Sequence, residues 1–284
     1  KKSWAKQAAN VSEMQNNTLL NIGDFVVTEC FSTPNDGGSA KYYIIPKQIS
    51  NNIDSFDCVN GTAVLIPDEF VKLNQLMDVK TADITPLVEY AFNHYNIDGN
   101  NAIIDLYRTI IVNTSHAIKN CNFIMRFSPQ VLEYMLMFNG KCNVDNCTFA
   151  FHTEHSRFAG GIQVNQIDAT ISNCSFAGLG YCITKTYDAS NAKTLMNVSN
   201  ITSSVCRCVI HLSNCIASVT NVKAINTFKS TLLSAVFYIR TDVDAVFTNI
   251  YVHGYDGSIF HCNRYDNGVP IPPFIADEPH LSTI

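Results

Sequence analysis

The residues best suited to chemistry recur near the ends of short apolar segments in the second half of the chain. These segments read Gly161-Ile-Gln-Val-Asn165, Cys182-Ile-Thr-Lys-Thr-Tyr187, Cys208-Val-Ile-His-Leu-Ser213, Phe237-Tyr-Ile-Arg240 and Phe260-His-Cys-Asn263. Period-two alternation would turn Ile162, Val164, Cys208, Ile210, Phe237, Ile239, Phe260 and Cys262 inward. Gln163, Lys185, His211, Tyr238 and His261 would then stack outward, beside Asn165, Tyr187, Ser213, Arg240 and Asn263. Aromatic faces pack against sugar rings, while imidazole, ammonium and guanidinium groups bond hydroxyls and acidic substituents. Any one such residue is what a wet surface carries; their density in one column suits an extended polysaccharide. Lys185, His211, Tyr238, Arg240 and His261 are the expected substrate-binding residues.

Carboxylates lie close by in sequence. Glycosidic hydrolysis uses two of them, about 5 Å apart for retention or about 6.5–9.5 Å for inversion. Asp188 and Asp242 follow two of the segments, and Glu154 sits in Phe151-His-Thr-Glu-His-Ser-Arg157, where His152, His155 and Arg157 could tune an acid. Asp242, Asp188 and Glu154 are therefore the expected catalytic residues. The alternative is elimination, in which Lys185, His211, Tyr238 or Arg240 would serve proton removal beside a uronate carboxylate. No cofactor is expected. His152, Glu154 and His155 do not make a metal-ligand spacing, and Cys206-Arg-Cys208 lacks a second Cys/His pair.

Stacking such segments requires a repeat, and the chain has one. Ile118-Lys-Asn-Cys-Asn-Phe123, Val144-Asp-Asn-Cys-Thr-Phe149 and Ile171-Ser-Asn-Cys-Ser-Phe176 share one phrase, with weaker copies at Val198–Ile201, Val219–Val222 and Phe247–Ile250. Their asparagines, Asn120, Asn146, Asn173, Asn200, Asn221 and Asn249, are 21 to 28 residues apart. Short apolar strands at that period, with no helices between them, specify coils that bury their apolar faces against neighbours. The expected fold class is all-β: a right-handed parallel β-helix with a small N-terminal β-rich cap. Its parts are an N-terminal lead over 1–20, the cap and a connecting helix over 21–95, the β-helix over 96–268 and a proline-bearing tail over 269–284. Thr85 is expected as the N-cap of the connecting helix, with Pro86 at its first position.

Composition narrows the partners. The net charge is -5 with no basic cluster, which argues against nucleic acid. No run of about eighteen apolar residues exists, so no membrane insertion is expected. The chain has eleven cysteines. Cys121, Cys147 and Cys174 share one place in the repeat and should form a buried column of free thiols rather than a disulfide framework.

Two stretches resemble phage tailspikes and the wider pectate-lyase-like β-helix superfamily. The Asn21–Tyr43 segment, with Gly23-Asp24 before Pro34-Asn-Asp-Gly-Gly38 and an aromatic strand, is similar to the opening segment of tailspikes; the Ile/Val-x-Asn-Cys-x-Phe coils are similar to the β-helix proper. Together they cover about residues 20–265. His253-Gly-Tyr-Asp-Gly257 departs from the Gly-His-Gly of polygalacturonases, so plant-pectin chemistry is not implied. The resemblance implies a phage-tail protein acting outside the host cell on a capsule or O-antigen. It also implies a homotrimer joined to other virion tail proteins, with Ile183, Val209 and Ile259 expected as outward apolar contacts. The alternatives are a non-enzymatic receptor-binding virion protein and a secreted polysaccharide lyase.

Overall fold

Each repeated asparagine marks a bend. Asn120, Asn146, Asn173, Asn200, Asn221 and Asn249 all adopt the left-handed conformation, with φ between 49° and 55°. Among non-glycine residues asparagine enters that region at low cost. The bend lines their amides up. Asn146 Nδ2 donates to Asn120 Oδ1 (2.7 Å), Asn200 to Asn173 (2.8 Å), Asn221 to Asn200 (2.8 Å) and Asn249 to Asn221 (3.0 Å). Asn173 donates instead to Asp145 (2.7 Å), and Asn120 to Asp98 (2.9 Å).

Where a cysteine follows the bend, it has a definite job. Its thiol donates to the carbonyl two residues back, across the bend: Cys121 to Lys119 (3.4 Å), Cys147 to Asp145 (3.3 Å) and Cys174 to Ser172 (3.1 Å). All three are buried; the Cys121 thiol together with burial pushes Cys147 away from ionisation, and burial together with Cys147 does the same to Cys174. The described cysteines are free thiols, with only Cys262 exposed. Two residues past each cysteine, Phe123, Phe149 and Phe176 stack with ring centroids 5.1 and 5.0 Å apart.

The structure is a computed structural model and describes residues 5–79, 83–153, 155–165, 167–186, 193–225, 235–240, 242–254, 258–262, 264–266 and 269–271. The coils form a parallel β-helix with two long sheets. One sheet contains the asparagine bends and runs from Val71–Lys72 through Ala117–Met125 and Thr194–Ser204 to Val243–His253. The other stacks Ile110–Val112, Glu133–Phe138, Ser156–Val164, Leu179–Lys185, Cys208–Leu212, Ala235–Ile239 and Ser258–Cys262, all parallel. The apolar core lies between them. No helix among the described residues is long and apolar enough to cross a membrane.

A five-stranded sheet precedes the coils, in the order Lys6–Ala8, Phe25–Thr28, Ala40–Ile45, Gly61–Leu65, Ser55–Cys58. The helix Thr85–His94 closes the near end of the stack, with Phe92 edge-on to Phe123 at 6.0 Å. Thr85 is the first helical residue rather than the N-cap, because Asp83 Oδ1 takes the Thr85 N–H at 3.0 Å. The helix also shields the first strand edge. Glu89 accepts from Ile111 N (2.9 Å), and Asn93 donates to Ile111 O and accepts from Asn113 N (both 2.8 Å). Open edges template aggregation, and here side chains occupy the pairing positions. Asp54 ties cap to helix by accepting from Tyr90 (2.8 Å) and Tyr95 (2.5 Å).

Asn173→Ala should destabilise the protein by about 2 kcal/mol, from left-handed strain plus lost amide bonds. Asn173→Gly keeps the conformation and should lose less. Urea midpoints of the two variants check this; an alanine variant as stable as wild type would contradict the bend's role.

Candidate polysaccharide-binding face

The second sheet carries an outward column set by register. Met137 pairs with Gln163, Gln163 with Thr184, Thr184 with His211, His211 with Tyr238 and Tyr238 with His261. Thr184 takes the place expected for Lys185. Lys185 instead follows Phe138 and Val164 inward, is 1% exposed, and donates to Ile167 O at 3.3 Å. Desolvation lowers its amine to about 8. It is a core residue and not a surface contact.

Simple alternation fails in this sheet because its strands bury neighbours in pairs. Cys182 with Ile183, Val209 with Ile210 and Val236 with Phe237 are all fully buried. A Cβ on Gly161 would meet Phe176, while Phe237 packs on Phe247, so adjacent positions both meet the core. Ile183 and Val209 are thus interior rather than outward, whereas Ile259 is exposed. Ile239 is half-buried, and Phe260 and Cys262 are exposed.

The outward rings form a continuous array. Tyr181 lies 6.2 Å from His211, His211 meets Tyr238 edge-on at 4.9 Å, and Tyr238 stacks on His261 at 4.9 Å. Arg207 lies 5.9 Å from the Tyr181 ring, and the exposed Arg240 lies 6.0 Å from the Tyr238 ring. Tyr134 and Tyr181 were not evident from the outward-column alignment. Tyr134 crosses Gly160, where an added Cβ would fall 2.2 Å from its ring, and bonds Thr184 Oγ1 at 2.9 Å. The glycine pair at 160–161 was the available signal, since strand glycines mark close approach. At the other side, Gln163 donates to Asn165 Oδ1 (2.8 Å), which opens onto a pocket of about 480 Å³ lined by Asn139, Asn165, Ile167 and Thr186.

The electrostatics single out His211. Burial, helped by Arg240, lowers its imidazole to about 4, and its Nε2 is buried with no hydrogen-bond partner. Burial raises the Tyr181 phenol, while Arg207 and Arg240 both act in the opposite sense.

Of the expected carboxylates, only Asp242 is among the described residues. Asp242 is exposed in a left-handed turn (φ 60°) whose carbonyl accepts from Cys215 N at 3.2 Å. Asp188 and Glu154 lie outside the described residues. Asp244 pairs with Lys193 at 2.9 Å. No group of His, Cys, Asp and Glu among the described residues could hold a metal ion.

No family model and no curated protein matches the chain. Solved structures do resemble it. The enzymatically active domain of tailspike protein 2 from bacteriophage CBA120 is 12% identical, with a TM-score of 0.49, over 91% of this chain and 53% of that one. Pantoea stewartii WceF, a glycan biofilm modifying enzyme with a tailspike-like parallel β-helix fold, is 10% identical, with a TM-score of 0.41, over 93% and 49%. A tailspike protein from Acinetobacter baumannii bacteriophage Fri1, a capsular polysaccharide depolymerase, is 9% identical, with a TM-score of 0.35, over 87% and 69%. The likeness is one of fold. The chain spans about half the length of the first two.

A pH series tests the burial of His211. Between about pH 6.5 and pH 4 the unfolded chain binds a proton that the folded imidazole refuses, so stability falls as pH drops through that window. His211→Gln should remove up to about 3 kcal/mol of that loss, read from urea midpoints.

Proposed function

We propose that this chain is the β-helical part of a phage tailspike that binds a bacterial surface polysaccharide, capsule or O-antigen, and depolymerises it. The observation that carries the reading is the array Tyr181, His211, Tyr238 and His261, held at 4.9 to 6.2 Å spacing on a rigid parallel sheet. Such a ladder presents ring-stacking and hydroxyl-bonding groups at fixed intervals, so little conformational entropy is lost on binding. Arg240 and the amides of Asn139 and Asn165 extend it on the side of the 480 Å³ pocket.

Hydrolysis would draw on Asp242 with Asp188 or Glu154. The same ring array suits a second reading, a receptor-binding virion protein that does not cleave. In either case the protein would act extracellularly at the host surface as part of the phage tail, in contact with other tail proteins. Homotrimer formation draws on outward apolar residues: Ile259, and the register partners Leu195 and Ile216 on the other sheet.

Tyr238→Ala should weaken polysaccharide binding roughly tenfold, the order of one aromatic contact, without a change in unfolding midpoint. Reducing-end release from capsule or O-antigen separates a depolymerase from a binder. Unchanged affinity in Tyr238→Ala would place the working surface elsewhere. Sedimentation should give three times the chain mass; a stable monomer at micromolar concentration would remove the trimer.

A further inference from the structure

Three buried polar side chains with too few partners meet at one corner, where the chain passes from the second sheet to the bend-containing sheet. Lys185 ends its strand there; it follows Phe138 and Val164 into the core and is 1% exposed. Thr184 pairs with His211, which sets Lys185 beside Leu212 and puts Ser213, also 1% exposed, one place further on. Across the corner Thr194 pairs with Cys215, and both share the inward parity of the buried Met196 and Ala217. Ile167 belongs to the same column, because Ala169 pairs with Met196. Lys185 Nζ reaches this column at Ile167 O, 3.3 Å away. Stacked positions are about 4.8 Å apart, so Thr194 lies one step from that carbonyl and Cys215 two.

The corner has donors to spare. Ile167 O takes one of the three ammonium protons. Thr194 Oγ1 and Ser213 Oγ are buried with no hydrogen-bond partner among the described residues, and the Cys215 thiol is buried beside them. The amine titrates at about 8, so a positive charge stands here at neutral pH. Among the described carboxylates Asp168 acts on it, but Asp168 is exposed and its Oδ1 accepts from Leu195 N at 2.8 Å. Native proteins fill such places with water or an ion, and a buried charge also needs a counter-charge. A water would accept from the ammonium yet leave hydroxyl protons without acceptors. A monatomic anion accepts from every group at once.

We infer that this corner encloses a small monatomic anion of the chloride class, held by Lys185 Nζ, Thr194 Oγ1 and Ser213 Oγ with the Cys215 thiol beside it. The ion neutralises the ammonium and ties together three successive coils, those of Ile167, Thr194 and Cys215. With Lys185 and Ser213 each 1% exposed, a polymer-borne carboxylate cannot enter, whereas a free halide is enclosed as the chain folds. Ile167 and Thr186 also line the open pocket of about 480 Å³, which brings solvent to the outer wall of the corner.

The test is urea unfolding of the whole chain at constant ionic strength, with sodium chloride exchanged for sodium gluconate, whose anion is too large to be enclosed. For an ion bound by the folded state alone, the folded-to-unfolded ratio should rise about tenfold per tenfold rise in chloride once the site is saturated. Bromide should act as chloride does, and in crystals should give an anomalous-scattering peak within hydrogen-bonding reach of Lys185 Nζ. Lys185→Met should remove the halide dependence. Ser213→Ala should weaken halide affinity roughly threefold or more, the scale of one hydrogen bond, and decides the matter should the lysine variant not fold. Equal midpoints in chloride and gluconate would overturn the anion. So would an ordered water at the corner with no bromide peak, or a halide dependence undiminished in Ser213→Ala, which marks a general salt effect.

Discussion

The left-handed asparagine bend is the constraint on which the remaining structure depends. One residue per coil must reverse the sense of the backbone, and that residue must still bond to its neighbours above and below. Asparagine does both: it tolerates φ near +54°, and its amide carries one donor and one acceptor direction along the stack. Once the bends align, the residues after them align too. That is why thiols and phenyl rings recur in columns, and why each thiol meets the carbonyl that the bend displaces. Register in this sheet is therefore written into the polar turn as much as into the apolar core.

The opposite sheet has only a short ladder of this kind, Asn113–Asn139–Asn165, which gives way to Thr186, and this difference decides what could be read from sequence. The Asn-Cys-x-Phe phrase made the bend-containing sheet legible, including its buried thiols. On the other sheet the column advances 21 residues from Gln163 to Thr184 but 27 from Thr184 to His211. Aligning Cys182 with Cys208 by type shifts one strand by a single position, and that slip put Lys185 on the surface in place of Thr184. The paired inward residues compound the error, because a period of two cannot describe a strand that buries two neighbours in succession. His211, Tyr238 and His261 were placed together because their three strands share one register. Tyr134 and Tyr181 were missed because each reaches along the surface from a neighbouring strand, over a glycine in one case.

The first coil is closed by its own helix. That helix contributes both an apolar face and the side chains Glu89 and Asn93, which take the backbone groups that a further strand would have taken. Farther along, His211 stands over a fully packed interior, with Val209, Ile210 and Leu212 of its own strand buried. A packed strand beneath a ring column fixes the spacing of the rings above it.

The buried thiols bear on the life of the molecule after folding. In the native state the cysteines other than Cys262 are buried, and burial pushes several of those thiols, Cys142, Cys182 and Cys208 among them, away from ionisation. The unfolded chain has no such shelter, and its eleven thiols become available together for mispairing. Denaturation in air is then a one-way event: oxidation removes the unfolded chain before it can find its register again. The persistence of such a protein outside a reducing cell is set by how slowly it opens rather than by how favourable the folded state is at equilibrium.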